Sequence, residues 1–177
     1  MPFTPFHMGP GAVIKAVTGR HFSLTIFGFA QVLIDLEPLV RILRHDTVLH
    51  GFSHTYLGAL LLAAITAGVG KPLCGWMLRS WNVAARLARS TWACIHADIA
   101  WRVAWVSALV GTLSHVWLDS FMHHDVRPWF PVSEANGLLG VFPSSWIYVL
   151  CLMAGVIGLM IMLIKFLWFN VLGDGYD

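Results

Sequence analysis

Charged side chains are scarce in this sequence. Asp, Glu, Lys and Arg make up 11% of its 177 residues and apolar residues make up 58%, whereas ordinary soluble domains have about 25% charged and about 45–50% apolar residues. A fully water-facing surface is therefore not expected, and lipid is the expected surrounding of much of the chain. The net charge of +2 and the lack of a clustered basic patch also argue against nucleic acid as a partner.

Cysteine is scarce as well. Cys74, Cys94 and Cys151 stand singly among apolar residues, without the CxxC spacing of a thiolate metal site or the even number of a disulfide framework. We interpret all three as packing residues.

Long apolar runs are what the sequence has instead. Residues 146–164 are nineteen in a row without a charge, close to the roughly 20 helical residues that cross a ~30 Å hydrocarbon core. Residues 50–70 and 99–118 are two further candidate spans, and the first should stop at Gly68, Gly70 and Pro72. Residues 71–90 mix arginine with tryptophan, which predicts a separate amphipathic helix near the headgroups.

Breaks between these runs define the remaining organisation. Residues 8–36 are apolar but are interrupted at 18–21, so two short helices are expected there, with one helix of about 26 residues as the alternative. Residues 37–49 indicate a loop or short surface helix, and the proline- and glycine-rich residues 120–145 indicate a structured loop. The predicted fold is all-α, a multi-pass membrane bundle of about four to five helices. It forms a single domain over 1–177, with a metal-site core at 5–131 and a further transmembrane helix at 146–169.

Histidines and carboxylates collect at one end of the predicted spans. Consecutive spans run antiparallel, so a helix opened by His50 and His54 begins on the side where His115 and Asp119 close the next one. Both pairs are four residues apart and would share a helix face. Asp35 ends an earlier helix on that side, and a hairpin would return the N-terminus there. The predicted metal ligands are His7, Asp35, His50, His54, His115, Asp119, His123 and His124.

Imidazole beside carboxylate is a ligand pair that a divalent ion accepts, with zinc expected and manganese or iron as alternatives. His50 and His124 could instead orient a ligand or contact a substrate. The other histidines, at 21, 45 and 96, are expected to be structural.

Three short motifs carry a family resemblance. They are Ile-Asp-Leu-Glu-Pro at 34–38, Gly-Phe-Ser-His-Thr at 51–55 and Ser-His-Val-Trp-Leu-Asp at 114–119. Over residues 5–131 the chain resembles the bacterial family of inner-membrane metal-dependent hydrolases, which is distantly similar to zinc-dependent phospholipase C and the S1/P1 nucleases. Asp35, His54, His115 and Asp119 match the family motifs, and His7 matches an early histidine. Glu37 stands where a second aspartate is expected, and the downstream His-x-x-x-Glu pair of a trinuclear cluster is absent.

The resemblance implies hydrolysis through a metal-activated water, around one ion or two. Asp35 or Glu37 is the expected general base, and Arg127 is expected to orient an anionic group of a phosphoester or phospholipid substrate. Membrane lipids are expected partners.

The alternative is a non-catalytic membrane protein that binds, moves or structurally uses a cation, and haem binding is a third interpretation. The resemblance implies an inner-membrane protein, and the positive-inside rule predicts that its site faces away from the cytoplasm.

Overall fold

The computed structural model describes residues 4–168, which are helical with irregular connections and contain no strand. The all-α prediction is therefore confirmed for that part of the chain. Because α2 and α3 adjoin at Asp35 and a π-helical turn joins α4 to α5, the helices form five stretches. The α-helices are α1 Thr4–Thr18, α2 Leu24–Ile34, α3 Leu36–Leu43, α4 Tyr56–Ile65, α5 Lys71–Leu87, α6 Trp101–Met122 and α7 Ser144–Leu167.

The N-terminal segment forms two helices, as predicted, and they fold back on each other as a hairpin. After α1, a short 3₁₀ turn at Gly19–His21 reverses the chain, and the Ser23 hydroxyl accepts a hydrogen bond from the backbone N–H of Ile26 at the start of α2. This cap satisfies one of the free N–H groups of the new helix. The single-helix alternative is wrong, and the beginning of α1 lies near the end of α2.

The predicted stop at Gly68, Gly70 and Pro72 is wrong. The π-helical turn Thr66–Gly70 leads directly into α5, so Tyr56–Leu87 is one helical stretch of 32 residues. Pro72 lies in the first turn of α5, where the fixed φ of proline is compatible with a helix and its missing N–H costs little. Residues 71–87 therefore continue the preceding helix, and residues 71–90 do not form a separate surface helix.

Two stretches among residues 4–168 are long and apolar enough to cross a membrane, Tyr56–Leu87 and Ser144–Leu167. The second contains the predicted C-terminal span, although its predicted end at residue 169 lies outside the described residues. The third predicted span, residues 99–118, corresponds to α6. It forms a helix as expected, but α6 is not one of the two stretches that are long and apolar enough to cross a membrane. It packs against α2 and α4 and buries polar side chains, including Ser107 and Thr112.

Helix α7 joins the bundle mainly through α1. Glycines allow the two backbones to touch, since a Cβ on Gly9 would overlap the backbone carbonyl of Cys151 and one on Gly158 would overlap the backbone of Ala12. Small residues at such crossings are a common packing device of membrane helices. This contact attaches α7 to α1, the helix that carries His7.

Candidate metal centre

Four separate elements bring polar side chains to one end of the bundle. His7 lies near the start of α1, Asp35 follows α2, His54 lies in the 3₁₀ turn Phe52–His54 before α4, and His115 and Asp119 lie near the end of α6. Except for Asp35, these side chains are at most 1% exposed. The convergence at one end, expected from antiparallel order, is therefore present in the structure.

The way in which His50 and His54 reach this end differs from the prediction. They do not lie on one helix face, because Thr55 has an extended backbone and its hydroxyl caps α4 by accepting from the N–H of Gly58. Helix α4 therefore begins at Tyr56, after both histidines. The irregular segment still buries both rings, with centroids 4.6 Å apart.

Asp35, His54, His115 and Asp119 form the primary group, whose ligand atoms lie close enough together to hold one metal ion. The Nε2 atoms of His54 and His115 are 3.2 and 3.3 Å from Oδ2 of Asp119, and His115 Nε2 is 3.2 Å from Oδ1 of Asp35. Donors on a tetrahedral ion with bonds of about 2.0–2.1 Å are roughly 3.3 Å apart. The spacing therefore fits a small divalent ion.

Unpaired buried atoms support this fit. Among the described residues, Nε2 of His54, Nε2 of His115 and both carboxylate oxygens of Asp119 are buried without a hydrogen-bond partner. Buried polar atoms are normally satisfied, and an absent ion is one of the explanations for a cluster of exceptions. The residues present can thus hold a metal ion, while its identity is open.

The opposite nitrogen of each of three histidines has a partner. His115 Nδ1 is 2.5 Å from Oε1 of Gln31, His54 Nδ1 is 2.9 Å from the hydroxyl of Ser53, and His50 Nδ1 is 2.8 Å from Oδ1 of Asp125. Such contacts direct the Nε2 atoms toward a metal.

Gln31, Ser53 and Asp125 were not predicted as site residues from the sequence. Gln31 had a usable signal, since it is an uncharged polar residue in an apolar helix, one turn before Asp35.

A second group lies on the other side of Asp119. His50, His123 and Asp125 are also close enough to hold an ion, and the rings of His50 and His123 have centroids 4.4 Å apart. Asp125 also accepts hydrogen bonds from the backbone N–H groups of Leu49 and His50. Its partial burial would raise the pKa of its carboxyl group, but these bonds and the His50 imidazole outweigh that effect and hold the pKa well below its usual range.

Glu37 lies outside both groups. Its Oε1 pairs with Arg41 at 2.7 Å, and its Oε2 accepts a hydrogen bond from the backbone N–H of Ser53 at 2.7 Å. Burial raises the pKa of Glu37, while the bonds from Ser53 and Arg41 lower it more, so the pKa lies below its ordinary value. The carboxylate therefore anchors the segment that carries His54.

Two other predicted site residues also lie outside the groups. His124 is exposed and belongs to neither cluster. Arg127 forms an exposed ion pair with Glu134 at 3.1 Å. Its predicted contact with substrate stays a prediction.

Comparison with known proteins finds no matching family model, no matching curated protein and no matching solved structure. The resemblance to inner-membrane hydrolases therefore stays a prediction. Function has to be inferred from the side chains of the metal centre and their surroundings.

Proposed function

We propose that this protein is a membrane-bound, metal-dependent hydrolase that acts on a phosphoester or lipid-like substrate. The observation that carries the proposal is the primary group. The Nε2 atoms of His54 and His115 lie 3.2 and 3.3 Å from Oδ2 of Asp119, and all three atoms are buried without a hydrogen-bond partner among the described residues. A bound divalent ion, with zinc as the first choice, would supply Lewis acidity and lower the pKa of a bound water toward about 7.

The protein's own residues have separate roles in this proposal. His54, His115 and Asp119 hold the ion, and the partners on Nδ1, Ser53 and Gln31, orient the two imidazoles with Nε2 toward it. Asp35 is the least buried of the four, with a side chain 12% exposed against 0% for the others. It therefore faces the side from which substrate and water approach, and we assign it as general base.

Exposed apolar surface supports the membrane setting. Leu57, Leu61 and Ile65 on α4 and Leu150 and Leu159 on α7 are each about half exposed or more. Apolar surface of this extent on a monomer marks an interaction site, and its location on the two candidate spans favours lipid.

The positions of basic residues support one orientation of the protein in the membrane. Arg79, Arg86 and Arg89 lie toward the end of Tyr56–Leu87 and just beyond it, away from His54. By the positive-inside rule this end faces the cytoplasm of an inner membrane, and the metal centre faces the other side. A centre at the level of the headgroups would reach the phosphoester bonds of lipids. Arg127, which is exposed and lies two residues after Asp125 in the chain, is the proposed contact for a phosphate oxygen.

One observation favours a second candidate function. Three of the four ligands are fully buried, as in closed structural zinc sites, whereas catalytic sites keep an open position. A cation-binding or structurally metal-stabilised membrane protein would use the same ligands. Measuring hydrolytic turnover distinguishes the two candidate functions.

The test uses the full chain purified in detergent. Metal content is measured by mass spectrometry, and hydrolysis is measured on a panel of phosphodiesters, phospholipids and peptides. We expect His115→Ala and Asp119→Ala to lose the metal and the turnover. The exposed His96 provides a matched control, His96→Ala, which should retain both. Stoichiometric metal in His115→Ala would overturn the ligand assignment, and metal-loaded protein inactive on the whole panel would favour the second candidate.

A further inference from the structure

A cavity of about 910 Å³ lies at the end of the bundle opposite the metal centre. Its walls come from the end of α1, the start of α2, the start of α6 and the segment before α6. The metal centre uses the other end of each of these helices, at His7, Asp35 and Asp119. The volume is within the roughly 300–1,000 Å³ typical of small-molecule sites, so the cavity can hold a ligand that does not touch the metal centre.

The charged lining of the cavity is mainly cationic. Lys15, Arg20 and Arg102 line it, against the single carboxylate of Asp98. No ion pair formed by a lysine or arginine of residues 4–168 includes any of these three cations. Their positive charge is therefore not neutralised within that part of the chain, and a concave cationic surface attracts an anion.

Hydrogen-bond donors are available at the same place. Lys15 Nζ donates to the backbone carbonyls of Gly19 and Phe22, at 2.9 Å each, which uses two of its three N–H groups. Helix α6 begins at the cavity without a side-chain cap, so the N–H groups of its first turn and the positive end of its dipole add to the cations. Together these donors favour an anionic group.

The remaining walls are largely apolar. They include the buried Phe22, Leu78 and Ile99, together with Met162 of α7. Met162 precedes the exposed Leu163 on one of the two candidate spans, so the cavity adjoins the surface that faces lipid in the proposed membrane setting. A small hydrophilic anion would leave these apolar walls in contact with water, whereas an acyl chain would cover them.

We propose that this cavity binds one anionic lipid, with the headgroup at Lys15, Arg20 and Arg102 and an acyl chain along the apolar walls. The cavity lies at the end of the bundle that the basic residues after Leu78 place at the cytoplasm. Basic pockets between membrane helices on that side are typical sites for anionic headgroups. This inference rests on the membrane setting proposed above and not on hydrolysis.

The first experiment needs no variant. The full chain in detergent is incubated with dioleoyl phosphatidylglycerol or with dioleoyl phosphatidylcholine, which has the same acyl chains and a zwitterionic headgroup, and native mass spectrometry measures the bound lipid. We expect a single phosphatidylglycerol to be retained in preference, and millimolar inorganic phosphate not to displace it. Equal retention of the two lipids would overturn the proposal. Displacement by phosphate would overturn it too, because the cavity would then take a small anion.

Cys94 allows the bound lipid to be located. Its side chain lines the cavity and is partly exposed, whereas Cys74 and Cys151 are buried, so a maleimide should label Cys94 first. Phosphatidylglycerol should slow this labelling, and phosphatidylcholine at the same concentration should not. An unchanged rate at a concentration that saturates binding would place the lipid elsewhere and sink the assignment.

Variants then test the headgroup contacts. Arg20→Gln with Arg102→Gln removes two exposed cations from the cavity, while Arg86→Gln with Arg89→Gln removes two exposed cations outside it. Each basic side chain near an anionic lipid contributes roughly a factor of five in affinity, so the first pair should weaken phosphatidylglycerol binding about 25-fold. The second pair should have a much smaller effect. Equal losses in both double variants would indicate diffuse attraction to the surface and contradict the site.

Lipid binding and hydrolysis can fail separately. Metal-loaded, active protein without a preference for phosphatidylglycerol would remove only the lipid site. Protein that keeps this preference but hydrolyses nothing on the substrate panel would remove only the hydrolase.

Discussion

Gln31 on α2 holds His115 on α6 through a hydrogen bond between Oε1 and Nδ1, 2.5 Å long. The amide nitrogen of Gln31 donates to the backbone carbonyl of Gly111 at 3.1 Å, which sets the direction of the amide. Oε1 can only accept, so Nδ1 of His115 carries the proton. In a neutral imidazole Nε2 is then the unprotonated nitrogen, and it is directed toward Asp35 and Asp119, as metal binding requires.

Replacing Gln31 should weaken metal binding, although Gln31 is not itself a proposed ligand. Gln31→Leu removes the acceptor from Nδ1, and such partners of metal-bound histidine typically contribute 10- to 100-fold in affinity. We expect a loss in that range in a metal titration of the apo protein. Gln31→Glu keeps an acceptor oxygen and should restore most of the affinity. Equal affinity in Gln31→Leu and the wild type would show that the hydrogen bond does not position His115.

Glu37 is expected to stabilise the fold around His54 and not to take part in the reaction. Glu37→Ala leaves the backbone N–H of Ser53 and the guanidinium of Arg41 without their partner, which should cost about 1–3 kcal/mol. Denaturant unfolding of the metal-free protein measures this loss.

Glu37→Gln separates this role from the base role predicted from the sequence. Glutamine retains an acceptor oxygen for Ser53, so metal binding and most turnover should survive. Loss of turnover with metal retained would instead identify Glu37 as the base.

Asp125 should organise the segment before α4. Its carboxylate accepts from the imidazole of His50 and from the backbone N–H groups of Leu49 and His50. Asp125→Ala removes all three bonds and should lower stability by about 1–3 kcal/mol. Asp125→Asn keeps one acceptor oxygen and should be intermediate by thermal unfolding. Wild-type stability of Asp125→Ala would contradict this role.

The contact between α1 and α7 offers a matched pair of glycine substitutions. A Cβ at Gly158 would overlap the backbone of Ala12, whereas a Cβ at Gly155 would lie 3.5 Å from Cα of Gly9, an ordinary contact. Gly158→Ala should therefore be destabilising by about 1–3 kcal/mol, measured by unfolding in detergent. Gly155→Ala should be neutral, or stabilising by up to about 1 kcal/mol, because alanine favours a helix. The opposite order would show that the helices do not pack as described.

Several parts of the fold were predictable because they depend on short-range patterns. The break at 18–21, the apolar run at 146–164 and the helix that carries His115 and Asp119 all follow from local residue types. The spacing of His115 and Asp119 on α6 placed both at one end of a helix. Antiparallel order then indicated that Asp35 and His54 would meet them.

Other parts could not be predicted from local patterns. Gly68, Gly70 and Pro72 are typical of a helix end, yet the chain continues through a π-helical turn, since the packing of neighbouring helices overrides local preference. Helix α4 starts where Thr55 caps it. His50 and His54 therefore precede the helix and do not share a helix face.

The sequence by itself determined which chemical groups are available, that the chain is helical and the end of the bundle at which most of these groups collect. Only the tertiary structure decided which nitrogen of each histidine faces Asp119, because that depends on partners remote in sequence. Gln31 is 84 residues from His115, and Asp125 is 75 residues from His50. Such pairings depend on helix packing and cap geometry to fractions of an ångström, which hydrophobic periodicity does not encode.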